Sequence, residues 1–165
     1  MDDYSNTRII PLIAADLPEY AEVIRRSFAT VARTFGLTRE NCPNHPSFIT
    51  DDQLAGKIEN GYYPFGCFAG KKMVGFASLT DMGGGVFELS NVSVLSEYRH
   101  FGYGKTLLDF CKDQVKKLGG DKITIGIIEE HSVLRAWYVA NGFVHTGTGE
   151  FEHLPFMAGY MECNV

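Results

Sequence analysis

The chain has 165 residues, a length that fits one folded domain over 1–165, since domains usually run about 100–200 residues. Hydrophobic residues make up 45% and charged residues 21%, close to the globular average, which excludes wholesale disorder. Fifteen basic against twenty acidic residues leave a formal charge of −5, which argues against a nucleic-acid partner. The surplus of acid is compatible with a cationic substrate and equally with plain solubility. No apolar run approaches the ~18 residues of a membrane span, and no apolar segment follows a basic start, so neither a membrane partner nor a leader is expected. Cys42, Cys67, Cys111 and Cys163 lack metal or redox spacing, so reduced thiols in the cytoplasm are expected. Cys42 and His45 supply only two ligands, and no metal site is expected.

In chain order, the apolar run Arg8 to Ile13 reads as a first strand. Asp16 and Pro18 mark a helix start, with Asp16 as cap and Pro18 in the first turn. That helix runs to about Phe28, burying Tyr20, Val23 and Ile24, and a second helical stretch through Val31 to Phe35 ends at Gly36. Residues 37–49 carry Asn41, Pro43, Asn44 and Pro46 and read as a loop. Thr50 with Gln53 forms a capping-box pattern opening a short helix that ends near Gly61. This block either shapes a pocket or merely covers one sheet face.

Phe65 to Ala69 and Met73 to Leu79 read as a hairpin about Gly70-Lys71. Gly83-Gly84-Gly85 is a further turn before a strand from Val86 to Leu95. Leu107 to Leu118 is an amphipathic helix with Leu107, Leu108, Cys111, Val115 and Leu118 on one face, stopped by Gly119-Gly120. Ile123 to Ile128 reads as a buried strand, Ser132 to Ala140 as a helix, and Phe143 to Thr148 with Phe156 to Cys163 as a final strand pair. The fold class is α/β or α+β.

The sharpest local feature is the loop Arg99-His100-Phe101-Gly102-Tyr103-Gly104-Lys105-Thr106, between a strand and a helix. Glycines that let backbone N–H groups converge at a helix N-terminus make an anion site. A P-loop would need Gly at position 99, where Arg stands. A dinucleotide fingerprint would need Gly at position 107, where Leu stands. The pattern Arg/Gln-x-x-Gly-x-Gly/Ala is completed by Arg99, Gly102 and Gly104.

With that loop, the chain resembles the GNAT superfamily of acetyl-CoA-dependent N-acetyltransferases. Glu88-Leu89-Ser90-Asn91-Val92-Ser93-Val94 looks like the family's fourth strand, Ser96-Glu97-Tyr98-Arg99 like the approach to its loop, and Leu107-Leu108 like the start of its third helix. Tyr138 to Phe143 matches the ending Tyr-x-x-x-Gly-Phe. Residues 74–165 fit in order and spacing, and residues 1–73 in element order only.

The resemblance implies a mixed, mostly antiparallel sheet of about seven strands flanked by helices, with the fourth and fifth strands splayed apart. Acetyl-CoA would lie in that gap, its pantetheine arm along Val92 and Val94 and its pyrophosphate on the loop from Arg99 through His100, Phe101, Gly102, Tyr103, Gly104, Lys105 and Thr106. His131 stands where the family often has Asn, and its imidazole keeps one hydrogen bond for the cofactor. Phe101 replaces an often basic residue and removes a phosphate contact. The implied reaction is direct acetyl transfer to a primary amine of a small molecule or peptide. A non-catalytic acyl-CoA-binding module is the alternative, and a homodimer is a family-level expectation.

For the chemistry, Tyr138 matches the family tyrosine near the thioester sulfur and is the candidate acid. A phenol of pKa about 10 stays protonated at neutral pH yet can protonate a thiolate. Glu88 matches an acidic position on the cleft strand and is the candidate base, acting directly, through water or by attracting the amine. The Val94 N–H is the candidate donor to the developing oxyanion. His153 lies in the turn that borders the acceptor site in the family, and reads as a base or a surface histidine. Glu129, Glu130, Glu150 and Glu152 flank the same end. Phe28, Phe35, Phe48, Tyr62 and Tyr63 read as core and loop anchors more than as a substrate cage, with Phe28 and Phe35 kept as acceptor-site candidates. Asn91 and Ser93 face away from Glu88 if alternation is unbroken; a bulge would change that parity.

Overall fold

The computed structural model describes residues 6–165. The strands are β1 (Thr7–Pro11), β2 (Tyr63–Ala69), β3 (Lys72–Asp81), β4 (Val86–Val94), β5 (Lys122–Ile128), β6 (Val144–Gly149) and β7 (Ala158–Asn164). The helices are α1 (Leu17–Phe35), α2 (Asp51–Glu59), α3 (Tyr103–Lys117) and α4 (Ser132–Ala140). The strands form one sheet in the order β1-β2-β3-β4-β5-β7-β6. Every neighbouring pair is antiparallel except β4 and β5, which run parallel. The mixed, mostly antiparallel α/β class expected from the sequence is the one found.

The sheet carries helices on both faces because its inner strands are apolar on both. On one face, Leu107, Leu108, Cys111 and Val115 of α3 pack with Phe87, Leu89, Ile123 and Ile125, joined by Tyr138 and Phe143. On the other, Tyr20, Val23 and Ile24 of α1 and Leu54 of α2 pack with Met73, Phe76 and Leu95. A small third cluster joins Ala32, Leu37 and Cys42 to Ile128, with Leu154 and Phe156 against it. It ties the end of α1 and the following loop to the β6–β7 turn.

Several boundaries differ from the sequence reading, each for a local reason. The first helix does not break after Phe28. Residues 29–35 contain neither Gly nor Pro, Ser27 and Ala32 continue the buried stripe, and the helix runs whole until Gly36 adopts φ 65°. Asp16 occupies the N-cap position but its side chain makes no capping bond there. The first strand stops at Pro11, because the Ile13 carbonyl turns to accept from the Asp16 N–H and the Tyr20 hydroxyl. α3 begins four residues before Leu107, and Leu118 lies past its end, exposed rather than on the buried face. The Thr50–Gln53 capping box forms in full: Gln53 N–H donates to Thr50 Oγ1 at 3.1 Å and Thr50 N–H to Gln53 Oε1 at 3.0 Å.

Two irregularities in β4 position the site. It pairs with β5 only at Val86, Glu88 and the residue between, after which the parallel ladder ends and the strands part. Its register against β3 also shifts between Phe76 and Ser78, opposite Asn91, which takes φ 54°. Asn tolerates this left-handed backbone better than most residues. The bulge resets the strand's parity. Leu89 and then Val92 and Val94 face α3, whereas Ser93 is buried and Leu95 packs under α1.

Candidate functional site

The gap between β4 and β5 opens toward the loop 99–106. Leu95 N–H donates to the Val74 carbonyl, so by antiparallel alternation the N–H and C=O of Val94 point away from β3, into the gap. The carbonyl there accepts from Arg99 Nε at 3.0 Å, leaving the N–H as the group the gap presents.

The loop turns through two left-handed residues, His100 at φ 67° and Gly102 at φ 91°, the latter with open space where a Cβ would stand. α3 then begins, and its ladder starts with Thr106 N–H to Gly102 O. At Gly104 a Cβ would come within 3.3 Å of Trp137 and 3.8 Å of Val94. Glycine is therefore what lets the first turn of α3 approach β4 and α4 this closely.

The loop's side chains are mostly engaged elsewhere. Lys105 Nζ pairs with Asp109 at 2.6 Å, and Thr106 Oγ1 bonds back to the Gly102 carbonyl. The Tyr103 ring is buried edge-on against Tyr98, and Phe101 and His100 are exposed. Arg99 reaches across to α1, donating from its two terminal nitrogens to Thr30 Oγ1 at 3.0 Å and the Ser27 carbonyl at 2.8 Å. Its guanidinium is a strut joining β4 to α1, and burial lowers its pKa from the ordinary value. What the loop offers an anion is its backbone and the positive end of α3.

His131 is the N-cap of α4, with Nδ1 accepting from the Leu134 N–H at 3.3 Å and the ring packed 5.2 Å from Phe35. Burial, then the nearby Arg99 charge, hold its pKa below the ordinary value. An acceptor Nδ1 on a neutral ring places the remaining proton on Nε2, a single donor.

Tyr138 is buried on the α3 side, its ring 5.2 Å from Phe143 and 4.9 Å from Trp137. Burial, with a smaller contribution from the Cys111 thiol, raises its pKa well above the usual phenol value. Glu88 lies exposed on the opposite face, accepting from Ser90 Oγ at 3.3 Å and standing across from Thr80 on β3. The two candidates thus lie on opposite faces of the sheet, with Glu88 at the last residue of the β4–β5 ladder.

On Glu88's face, α2 and the turn at Pro46–Phe48 enclose a cleft with β3 and β4, lined among others by Lys57, Tyr62, Thr80 and Asn91. The sequence reading leaves open whether this block shapes a pocket or covers a sheet face; it lines a pocket, and that reading does not name Gln53, Lys57 and Asn60 as lining residues. A signal existed: Gln53 and Lys57 on α2 and Asn60 at its C-cap recur at helical spacing and make one polar stripe. Phe28 and Phe35 are half-buried anchors; Phe28 meets the His45 ring edge-on at 5.7 Å. Tyr62 lines the cleft while Tyr63 is exposed. His153 is exposed against Phe151, and Glu129 is engaged by His145 at 2.9 Å and by Arg135. Among the described residues no group of three or more His, Cys, Asp or Glu could hold a metal ion. No helix among them is long and apolar enough to cross a membrane.

Comparison with known proteins matches this arrangement. The model of the acetyltransferase (GNAT) family matches residues 28–143. An uncharacterized N-acetyltransferase from the pepI 3' region of Lactobacillus delbrueckii subsp. lactis is 22% identical over 153 residues, covering 84% of each chain. The ribosomal-protein-S18-alanine N-acetyltransferase of Escherichia coli superposes with a TM-score of 0.76 at 19% identity, over 96% of this chain and 94% of that one. The PaiA N-acetyltransferase of Thermoplasma acidophilum, solved in complex with coenzyme A, superposes at 0.75 with 23% identity, over 97% and 99%.

Proposed function

The chain belongs to the acetyltransferase (GNAT) family and is an acetyl-CoA-dependent N-acetyltransferase, and we propose how its own residues divide that work. The observation that carries the reading is the parting of β4 from β5 beside a glycine-turned helix N-terminus. The gap and the Gly102–Gly104 turn fit an extended arm ending in phosphates. Val92 and Val94 line the arm's path with backbone groups, and the backbone of the 100–105 turn holds the pyrophosphate. Arg99, Lys105 and Thr106 then serve through the backbone they brace, and His131 donates from Nε2. When bound, acetyl-CoA supplies the acetyl group as a reactive thioester.

A primary amine has a pKa of about 10 and must lose a proton before it attacks at neutral pH. Glu88 draws the ammonium group to the cleft face of β4 and takes up that proton. The Val94 N–H donates to the carbonyl oxygen as charge builds on it. As the N–C bond forms and the C–S bond breaks, the Tyr138 hydroxyl gives its proton to the departing sulfur. Burial raises the phenol pKa, so the hydroxyl stays protonated and keeps its proton for the departing sulfur. The acceptor is a primary amine of a small molecule or peptide. Four buried, unpaired cysteines support a reducing compartment, the cytoplasm. Self-association as a homodimer is the family's expectation, and light scattering reads it directly.

Tyr138→Phe and Glu88→Gln test the assignment. Each lowers kcat by about 10²–10⁴ while leaving CoA affinity unchanged. Unchanged turnover in Tyr138→Phe would remove the phenol from the mechanism.

A further inference from the structure

The cleft between α2 and the sheet has a volume of about 420 Å³, with Pro46 and Ile49 as the apolar part of its wall. Asn44, Gln53, Tyr62, Thr80 and Asn91 line it with neutral polar groups, and Lys57 is the one charged side chain among its lining residues. Several of these groups lack partners within the protein. Thr80 Oγ1 is buried with no hydrogen bond. The carboxamides of Asn44 and Asn91 bond to nothing among the described residues. Gln53 uses its oxygen in the α2 cap, which leaves its NH₂ group for the cleft. Lys57 makes no ion pair among the described residues; its ammonium group sits 5.2 Å from the Tyr62 ring centroid.

A buried polar atom without a partner is rare, and Thr80 Oγ1 is one; together with the solvent-facing amides of Asn44 and Gln53 and the half-buried Asn91 on the same cleft, it marks a place for a polar ligand. The charges set its pattern. Glu88 pairs in register with Thr80, so its carboxylate lies on the cleft's face of the sheet, next to the lining residue Thr80, and the Lys57 ammonium group lies on the α2 side. A ligand carrying one cation and one anion satisfies both. A polycation meets Glu88 but brings its second charge against Lys57.

We propose that this cleft takes an amino acid as the acetyl acceptor, the amine toward Glu88 and β4 and the carboxylate on Lys57. The assignment rests on the acetyl-transfer reading above and narrows its acceptor to amino-carboxylic acids. Asn91, placed on the cleft side by the β4 bulge, and Thr80 hydrogen-bond the atoms between the two charges.

The test measures thiol release from acetyl-CoA with each standard L-amino acid, its α-carboxamide and spermidine, on wild type, Lys57→Met and Lys57→Arg. The same amino acids are titrated into the CoA complex by calorimetry, which needs no turnover. At least one amino acid is expected to be acetylated with a kcat/KM at least tenfold above its carboxamide and above spermidine. Lys57→Met raises KM for that amino acid by about 10–100-fold, the size of a hydrogen bond to a charged group, with kcat nearly kept. It leaves the carboxamide unaffected, and Lys57→Arg restores most of the loss. Equal use of acid and carboxamide, preference for spermidine, or no amino-acid binding to the CoA complex overturns the assignment while acetyl transfer stands. Absence of CoA binding itself overturns both.

Discussion

The two sides of the β4–β5 gap are built on different principles. The α3 side presents backbone: a left-handed turn, a helix N-terminus and Gly104 held close to Trp137 and Val94. The α2 side presents side chains: Lys57 and Tyr62 from the long connection between α1 and β2, with Thr80 and Asn91 from β3 and β4. A backbone site needs glycine at fixed spacing and tolerates little else. A side-chain site can change its ligand by exchanging one residue while the fold stays put. The first side therefore reports a shared cofactor, and the second an individual substrate.

The sharpest way to break this contrast is Gly104→Val. A Cβ there already stands 3.3 Å from the Trp137 ring, so the added methyl groups press on Trp137 or extend toward the gap beside Val94. CoA affinity is expected to fall more than 100-fold, read as loss of the ligand-induced rise in Tm, while the unliganded protein still melts cooperatively. Binding equal to wild type would mean that the close backbone approach is incidental.

Arg99→Met probes the strut between the two sides. It removes hydrogen bonds to Val94, Thr30 and Ser27, at a cost of about 3 kcal/mol, or a fall in Tm of roughly 6–12 °C. A fall under about 2 °C would show that the strut carries no stability.

The α2 side should also be the acid-sensitive one. His45 is buried between Phe28 and Phe48, bonded to Ser47 Oγ at 2.7 Å, and burial lowers its pKa to about 4. A depressed folded-state pKa means the fold favours the neutral ring. Its contribution is whole above the ordinary value of about 6.5 and is lost as pH falls through about 4, a change of about 3 kcal/mol. Urea unfolding of wild type and His45→Gln between pH 7 and pH 4 checks this, and parallel loss in both would rule His45 out as the cause.

The smallest expected effect is Thr50→Ala, which removes the α2 cap for about 1 kcal/mol and leaves CoA affinity unchanged. A loss of CoA affinity would couple two sides that the contrast keeps apart.

The same contrast explains what could be read from the residues. Gly102, Gly104 and the Tyr138–Phe143 ending are spaced by backbone demands, and such demands leave a pattern in sequence. The α2 capping box was legible for the same reason. The bulge at Asn91 was only a conditional possibility, because a register shift depends on β3 as much as on β4. The role of Arg99 was hidden further: its partners lie about seventy residues earlier, and no local pattern signals them. The cleft wall combines α2 with β3 and β4, so only the polar stripe on α2 was visible in one segment. The continuous α1 shows the reverse case, where apolar packing through Ala32 carried a helix past the point at which its local pattern weakened.

The central claim is that the β4–β5 gap and the 99–106 turn form a CoA site. Thermal melts of the protein with CoA, acetyl-CoA, ATP and NAD, each added separately, test it most directly. A ligand at about 100 times its Kd adds about 2.7 kcal/mol, a rise of roughly 5–10 °C for a domain of this size. The account predicts that rise with CoA and acetyl-CoA alone. No shift with either CoA species, or an equal shift with ATP, would contradict it.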